Sequence, residues 1–414
     1  NGGAAFIIVY LLSTLLVGLP VMITELIIGR RARANAIGSL QSLEPRQPWY
    51  LVGVAGVLSA FLILGFYTEV AGWVFAYIFK AAGGVLSSTK PDVTSRAFAS
   101  MITDPMQSLV WQWIVLVFIS LIIIAGVSRG IEAMTKRLMP CLFLLLVLVC
   151  ARSLTLPGAT EGLRFLFRAD FSKVTGATIL TAMGLSFFKL SVGMGTMITY
   201  GSYSRDDQNI PATAVRVMLA DVGVSVLAGL AIFPAVFAFG FEPGAGPQLL
   251  FITIPAVFSS MPFGRVFMVM FFVLSAIAAT GAMLSLLEVP VAYISERYGW
   301  SRTASTLVTL AGLVSLGSTA ALSNSIMAEF KPFGMTMFDL LDYSTSNILL
   351  PVGGLFLCLF AGWRWGLANI RAAASNEGCL NNRVIVNAFY TVVRFVTPAL
   401  VFVVLLNGLG IVKL

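Results

Sequence analysis

The stretch "SFFKLSVGMG", residues 186–195, places a lysine and two glycines inside a segment of membrane character. An unpaired charge at membrane depth is costly, and glycine weakens the helix that must satisfy the backbone in lipid. If the helix breaks near 191–195, one half ends with unpaired carbonyls and the other begins with free N–H groups. Carbonyl ends attract cations such as Lys189, and amide ends attract carboxylates. The stretch therefore predicts a binding site for an amphoteric solute; a glycine motif for helix packing is the alternative.

The composition of the chain is that of a membrane protein. Of its 414 residues 58% are hydrophobic and only 11% are charged, whereas a soluble domain carries roughly a quarter charged residues. Apolar runs of about 20 residues recur throughout, which predicts an all-α polytopic membrane protein with a single transmembrane domain, 1–414. We predict ten spans, at 4–28, 49–80, 108–127, 138–155, 177–203, 213–240, 264–292, 303–322, 337–362 and 385–411.

The predicted loops differ in charge from one side to the other. If the chain starts outside, five loops on one side hold fourteen of the 26 basic residues, and the excess of Lys and Arg predicts that this side is cytoplasmic. We call it the arginine-rich side. Its basic residues are Arg30, Arg31, Arg33, Arg46, Arg129, Lys136, Arg137, Arg205, Arg216, Arg297, Arg302, Arg364, Arg371 and Arg383. The net charge of +8 is thereby explained without a nucleic-acid partner.

Several function classes are excluded by the residues themselves. The chain has no histidine, which removes His-metal sites and serine–histidine triads. The four cysteines show no metal-ligand spacing. No nucleophile–base pair is visible, so an enzyme is not predicted and no organic cofactor is implied. A channel is disfavoured because no polar stripe recurs along several helices.

Five ionisable residues fall inside predicted spans, and such residues indicate function unless they are paired. They are Glu25, Glu69, Lys189, Asp221 and Glu288, with Arg394 as a sixth candidate. We expect Glu25 to form a structural ion pair with Arg30, one turn away. Glu288 is expected to bind exposed backbone near Pro290, and no partner is predicted for Glu69.

Lys189 and Asp221 lie in consecutive spans, so one helical hairpin brings them within reach of each other. A mutual pair offsets much of the cost of removing both charges from water. We interpret the pair as part of an ion site, with a purely structural bridge as the alternative.

Six longer motifs resemble one known family. They are "NGGAAFIIVYLLSTLLVGLPVMITELIIGR", "GFYTEVAGW", "SFFKLSVGMGTMITYGSYSRDDQNI", "LAGLAIFPAVFAFG", "SLLEVPVAYISERYGWSR" and "FDLLDYSTSNILLPVGG". They look like bacterial neurotransmitter:sodium symporters of the leucine-transporter type, in the bacterial inner membrane.

The resemblance implies a fold of two inverted five-helix repeats. The ten spans correspond to family helices 2–11: 4–155 is the remainder of the first repeat, 177–362 the second, and 385–411 an extra helix. In the family "NGG" directly follows helix 1, so the sequence is expected to lack the first transmembrane helix.

The resemblance also implies a substrate site. Tyr67 matches the tyrosine whose hydroxyl holds the substrate carboxylate, and Phe188 matches the aromatic lid and gate. Asp342 and Glu296 match the extracellular and cytoplasmic gate acids. The remaining substrate-contacting positions are Ile63, Ser191, Gly193, Met194, Leu286 and Leu287.

The ion sites depart from the family pattern. Lys189 replaces the Thr or Ser of the first sodium site, whereas Asp221 retains the Asn or Asp ligand of that site. In the second site Thr280 is retained but Gly281 follows it. The chloride-linked region keeps Tyr10 and Ser225, with Leu185 where an amide is usual. Na+ stays open as a coupling ion, with a depleted set of ligands.

These observations predict a secondary transporter of a small, neutral, hydrophobic amino acid that works by alternating access, with the Lys189 ammonium in place of the first sodium. Two alternatives stay open. One is ordinary sodium symport, with Thr280 and backbone carbonyls sufficing for one ion. The other is a transport-incompetent binding or regulatory membrane protein, which follows if helix 1 is absent. The oligomeric state is not predicted.

Overall fold

The computed structural model describes residues 2–241 and 246–412, which form a bundle of helices. In chain order the helices are α1 (Ala4–Ala32), α2 (Ala36–Leu43), α3 (Tyr50–Ala82), α4 (Pro91–Thr103), α5 (Pro105–Ile124), α6 (Val127–Leu154), α7 (Ala159–Phe167), α8 (Gly176–Lys189), α9 (Thr196–Ser202), α10 (Ile210–Ala238), α11 (Leu249–Ser259), α12 (Gly264–Tyr298), α13 (Arg302–Asn324), α14 (Met337–Ala374) and α15 (Arg383–Gly408). Within the described residues nine of these, α1, α3, α5, α6, α10, α12, α13, α14 and α15, are long and apolar enough to span a membrane.

The nine spans agree with the predicted ones except at their ends. The span predicted at 138–155 begins at Val127, and the span predicted at 337–362 continues to Ala374. Hydropathy locates the apolar part of a helix, whereas the backbone hydrogen bonds that define the helix continue into polar residues. The tenth predicted span, 177–203, is two short helices, α8 and α9, with a break between them.

Three clusters of buried apolar side chains hold the bundle together. The first joins α1 to α8, α9, α14 and α15. The second joins α3, α4, α6, α10, α11 and α12. The third, which we call the central cluster, joins α3, α5, α12 and α13 to the segment between α8 and α9. Because these helices pack on the break from several sides, the break lies inside protein.

Ion pairs connect segments on the arginine-rich side. Arg31 pairs with Glu377 and Arg33 with Asp206. Arg364 binds both carboxylate oxygens of Glu44, at 2.7 and 2.9 Å. The basic residues that predict the orientation therefore also link the helix ends on this side.

Candidate functional site

The quoted stretch contains the break in the membrane helix, as predicted. Helix α8 ends at Lys189 and α9 begins at Thr196, so the first four residues of the stretch remain helical and the break covers 190–195. Ser191, Gly193 and Gly195 have φ angles of +53°, +79° and +71°. Glycine adopts such angles freely, whereas a residue such as Ser191 incurs about 1–2 kcal/mol.

The break packs directly against the backbone of α14. A Cβ atom added to Gly193 would lie 2.7 Å from the carbonyl oxygen of Leu350, and one added to Gly353 would lie 2.6 Å from the carbonyl oxygen of Gly193. Only glycine at both positions permits this approach. The irregular backbone is thus surrounded by protein, which is the condition for its survival at membrane depth.

The carbonyl end of α8 is closed by its own chain. The amide of Leu190 donates to the carbonyl of Ser186, the amide of Ser191 to that of Phe188, and the amide of Val192 to that of Phe187. A residue with positive φ followed by such a bond is the usual closure of a helix C-terminus. The expectation that unpaired carbonyls at this end attract the lysine is therefore wrong for these three carbonyls.

The amide end of the break is held by a distant acid. The Oε1 atom of Glu25, in α1, accepts a hydrogen bond from the backbone N–H of Gly193 at 2.6 Å, and the Glu25 side chain is buried. The predicted pair of Glu25 with Arg30 is wrong, because residues five apart do not share a helix face. Arg30 donates instead to the carbonyls of Gln208 and Ala373.

Lys189 lies in a cluster of four polar side chains from three helices. Its ammonium is 3.1 Å from Asp221 Oδ2, contacts the hydroxyl of Ser225 and lies 4.9 Å from the ring centroid of Tyr10. The Tyr10 hydroxyl donates to the same Asp221 oxygen at 2.8 Å. The structure thus brings together the two predicted residues of the first ion site and the two predicted chloride-region residues. We call this group the lysine cluster (Tyr10, Lys189, Asp221, Ser225).

The lysine cluster points away from the break. A helical side chain tilts toward the helix N-terminus, so the ammonium of Lys189 turns from the end of α8 toward α10 and α1. Among residues 2–241 and 246–412 its hydrogen-bond and ion-pair partners are side chains, and none is a carbonyl of α8 or α9. The side chains of Lys189 and Asp221 are 26% and 21% exposed, so the pair is not fully enclosed by the described residues.

The predicted substrate residues meet in the central cluster. Ser191 and Gly193 belong to the break that adjoins it. The others come from α3, α8, the break and α12, and Tyr67 and Phe188 are its partly buried members; the set is Ile63, Tyr67, Phe188, Met194, Leu286 and Leu287. The fold therefore brings together, from three separate segments (α3, residues 188–194 and α12), the residues that the resemblance implies.

The predicted second sodium site is not joined to the lysine cluster. The Thr280 hydroxyl donates to the carbonyl of Ala276, within its own helix, at 2.7 Å. Gly281 faces α6, because a Cβ added there would lie 3.6 Å from the Met139 methyl group.

The two predicted gate acids have partners on opposite sides of the bundle. Asp342 accepts a hydrogen bond from the Ser346 hydroxyl at 2.8 Å. Glu296 Oε2 accepts from the backbone and side-chain nitrogens of Asn35, at 2.7 and 2.8 Å. Glu296 is thereby linked to the start of α2, on the arginine-rich side.

Glu288 belongs to a network that the sequence did not reveal. It accepts from the Tyr203 hydroxyl at 2.7 Å and forms a two-point ion pair with Arg302. The Nε atom of Arg302 donates to the carbonyl of Ile123 at 2.7 Å. The expectation that Glu288 binds backbone near Pro290 is wrong, because the antiparallel packing of α12 and α13 offers a guanidinium instead. The available signal was Arg302 itself, the first residue of the following helix.

Comparison with known proteins identifies relatives of the whole chain. The family model described as the sodium:neurotransmitter symporter family matches residues 1–97 and 96–413. The sodium-dependent transporter YhdH of Bacillus subtilis is 39% identical over 418 residues, covering 100% of this chain and 91% of that protein. A sodium-dependent transporter of Haemophilus influenzae is 32% identical over 421 residues, covering 99% of this chain and 91% of that protein.

A solved structure has the same architecture. The crystal structure of MhsT in complex with L-phenylalanine superposes with a TM-score of 0.90 and is 39% identical in sequence. The match covers 99% of this chain and 92% of that chain.

Proposed function

This chain belongs to the sodium:neurotransmitter symporter family, and from that premise we propose that it carries a neutral, hydrophobic amino acid across a bacterial inner membrane. Proteins of this family cross the membrane several times, and they work by secondary transport. In our proposal the substrate binds at the break between α8 and α9, and Lys189 serves as a fixed cation where relatives bind their first sodium ion.

The chemistry of the central cluster supports the substrate class. Ile63, Met194, Leu286 and Leu287 supply an apolar surface, and burying an apolar side chain there is favourable by about 25 cal/mol per Å2. The similar structure of MhsT contains L-phenylalanine. Because Glu25 occupies the amide of Gly193, the Tyr67 hydroxyl is the group we assign to the substrate carboxylate.

The observation that carries the lysine proposal is the contact of its ammonium with Asp221, Ser225 and Tyr10. A lysine ammonium is a compact point charge, so it can neutralise Asp221 as a sodium ion would. A second cation at the same place would meet a like charge at short range. The lysine cluster therefore does not fit a sodium ion.

One sodium ion can still be held elsewhere. Hard cations prefer oxygen ligands, and transporters with broken helices supply backbone carbonyls for sodium. Thr280, whose hydroxyl oxygen retains acceptor capacity, is the residue we assign to that ion together with backbone carbonyls. Through this bound ion, the sodium gradient across the membrane would supply the driving force for transport.

The test measures amino-acid binding and uptake by the purified chain in proteoliposomes, with radiolabelled L-phenylalanine and L-leucine at varied sodium concentrations. We expect the sodium dependence of uptake by the unaltered protein to have a Hill coefficient of about one. Lys189→Thr restores the hydroxyl found in the family, and its uptake is expected to depend more steeply on the sodium concentration. Lys189→Met is expected to bind at least about tenfold more weakly, and the exposed Lys136→Met serves as the control.

Three results would contradict the proposal. Uptake by Lys189→Met with an unchanged sodium response rules out the role of the lysine. Uptake driven by a proton gradient without sodium assigns coupling to proton cycling instead. Binding restricted to charged amino acids rules out the apolar substrate class.

A further inference from the structure

A second cation of the membrane-spanning region lies in α15, far along the chain from the substrate site. Arg394 is eleven residues after Arg383, about 16 Å along the helix axis. Its guanidinium carbon lies 4.5 Å from the ring centroid of Trp363, 5.2 Å from that of Phe395 and 5.7 Å from that of Tyr390. We call these four residues the arginine cage (Trp363, Tyr390, Arg394, Phe395).

The arginine cage is held in place by bonds between α14 and α15. The indole N–H of Trp363 donates to the carbonyl of Arg394 at 3.1 Å, and the Tyr390 hydroxyl donates to the carbonyl of Gly362 at 2.9 Å. A Cβ added to Gly362 would lie 2.8 Å from the Arg394 Cα atom, so glycine is needed for the two helices to approach. Two of the three rings are therefore fixed before any ligand arrives.

The guanidinium has more donors than partners. Of its five N–H groups, one Nη1 donor bonds to the Tyr390 hydroxyl at 3.0 Å, and the buried Nε atom has no acceptor among residues 2–241 and 246–412. In the part of the chain that the structure describes, no carboxylate lies within ion-pair distance of Arg394. The aromatic faces compensate some of the charge, but no anionic side chain of the described residues balances it.

The cage opens outward from the bundle, near the arginine-rich side. Trp363 and Phe395 are 57% and 54% exposed. Trp363 directly precedes Arg364, which pairs with Glu44 of the loop on that side. The bond from Arg394 to Tyr390 also directs the guanidinium toward the start of α15, which lies on the same side. The charge therefore lies close to the level at which tryptophan marks the membrane interface.

We propose that the arginine cage binds the phosphate of an anionic phospholipid in the leaflet on the arginine-rich side. At this depth and on this outward surface, the lipid phosphate is the anion within reach of a guanidinium directed toward the interface. The planar fork of arginine donates two parallel hydrogen bonds to phosphate oxygens. In this proposal the exposed faces of Trp363 and Phe395 contact the part of the acyl chains next to the headgroup.

The test uses the full chain, purified and stripped of lipid in detergent, with phosphatidylglycerol or the phosphate-free lipid digalactosyldiacylglycerol added back. Bound lipid is counted by native mass spectrometry, and the melting temperature is followed in parallel. We expect retention of phosphatidylglycerol only, and at least about tenfold weaker retention by Arg394→Gln. The control is Arg383→Gln, which removes an exposed arginine from the start of the same helix and is expected to retain the lipid.

The inference does not depend on the substrate or the coupling ion. Equal retention of phosphatidylglycerol by Arg394→Gln and the unaltered chain overturns it, as does equal retention of the phosphate-free lipid. A lipid-free dimer that dissociates in Arg394→Gln also overturns it, because the partner of the arginine would then be a second copy. If Arg394→Gln does not fold, Arg394→Lys keeps the charge without the fork and must still weaken retention.

Discussion

The two ends of the helix break are stabilised in different ways. At the end of α8 the carbonyls of Ser186, Phe187 and Phe188 bond to amides within the next five residues of the same segment. At the other end the amide of Gly193 bonds to Glu25, which is 168 positions away in the sequence. One end is closed by local backbone geometry, and the other only by the tertiary fold.

This difference explains the placement of the two charges. Since α8 closes its own carbonyls, Lys189 is not needed there and pairs with Asp221 on α10 instead. Glu25 is buried and accepts a hydrogen bond from the backbone of Gly193, whereas the side chains of Lys189 and Asp221 are 26% and 21% exposed. We therefore interpret Glu25 as a fixed support of the break. We interpret the lysine pair as the contact whose partners can change during transport.

Removal of the distant support should have the largest effect. Glu25→Ala leaves the buried amide of Gly193 without an acceptor, which costs about 1–3 kcal/mol of unfolding free energy. Binding of L-phenylalanine should weaken by about tenfold or more, because the break loses its position. Denaturation in detergent and equilibrium binding provide the two measurements.

Two variants sharpen this prediction. Glu25→Gln keeps an acceptor oxygen, so its unfolding free energy and its affinity for L-phenylalanine should lie between those of the unaltered protein and those of Glu25→Ala. Thr24→Ala, the neighbouring buried residue, loses only a bond within its own helix and should change binding little. If Glu25→Ala binds substrate as the unaltered protein does, the break is not supported by this contact.

Separation of the lysine pair should have an intermediate effect. Asp221→Asn leaves the ammonium without its carboxylate, and we expect a loss of about 1–2 kcal/mol of unfolding free energy. This is below the usual 3–5 kcal/mol for a fully buried pair, because both side chains are partly exposed.

A double-mutant cycle tests the coupling within this pair. Asp221→Asn combined with Lys189→Met should be less destabilised than the sum of the single variants by about 0.5 kcal/mol or more. Strict additivity would mean that the two groups do not interact in the folded protein.

Relief of the backbone strain at Ser191, where α8 is closed, should have the smallest effect on the unfolding free energy. Ser191 has a φ angle of +53°, so Ser191→Gly removes strain and should raise the unfolding free energy by up to about 1 kcal/mol, less the entropy that glycine adds to the unfolded chain. Ser191→Val, β-branched at a positive φ, should lower it. Equal melting temperatures for the glycine and valine variants would show that the closure does not depend on this angle.

Local patterns were sufficient for much of the fold and for the position of the break. Long apolar runs predict the spans, and glycine-rich sequence beside Lys189 predicts the interruption, because both depend on the chemistry of adjacent residues. The pairing of Lys189 with Asp221 also followed, since consecutive antiparallel helices bring their residues together. The ends of α6 and α14 were missed because polar helical turns lack an apolar signal.

Contacts between distant segments could not be predicted in the same way. For Glu25 the sequence indicates Arg30, and for Glu288 it indicates nearby backbone, because only partners close in sequence can be recognised from it. Their actual partners, Gly193 and Arg302, are selected by the packing of α1 on α9 and of α12 on α13.

The sequence by itself determined that the chain crosses the membrane repeatedly, that one helix is interrupted, and that a lysine lies beside the interruption. These are consequences of the cost of polar groups in lipid, which each segment must meet on its own. The tertiary structure decided which acid holds the free amide, which side chains surround the ammonium, and which aromatic rings enclose Arg394. Such choices depend on distances of a few ångströms between helices, and those distances are fixed only when the whole bundle packs.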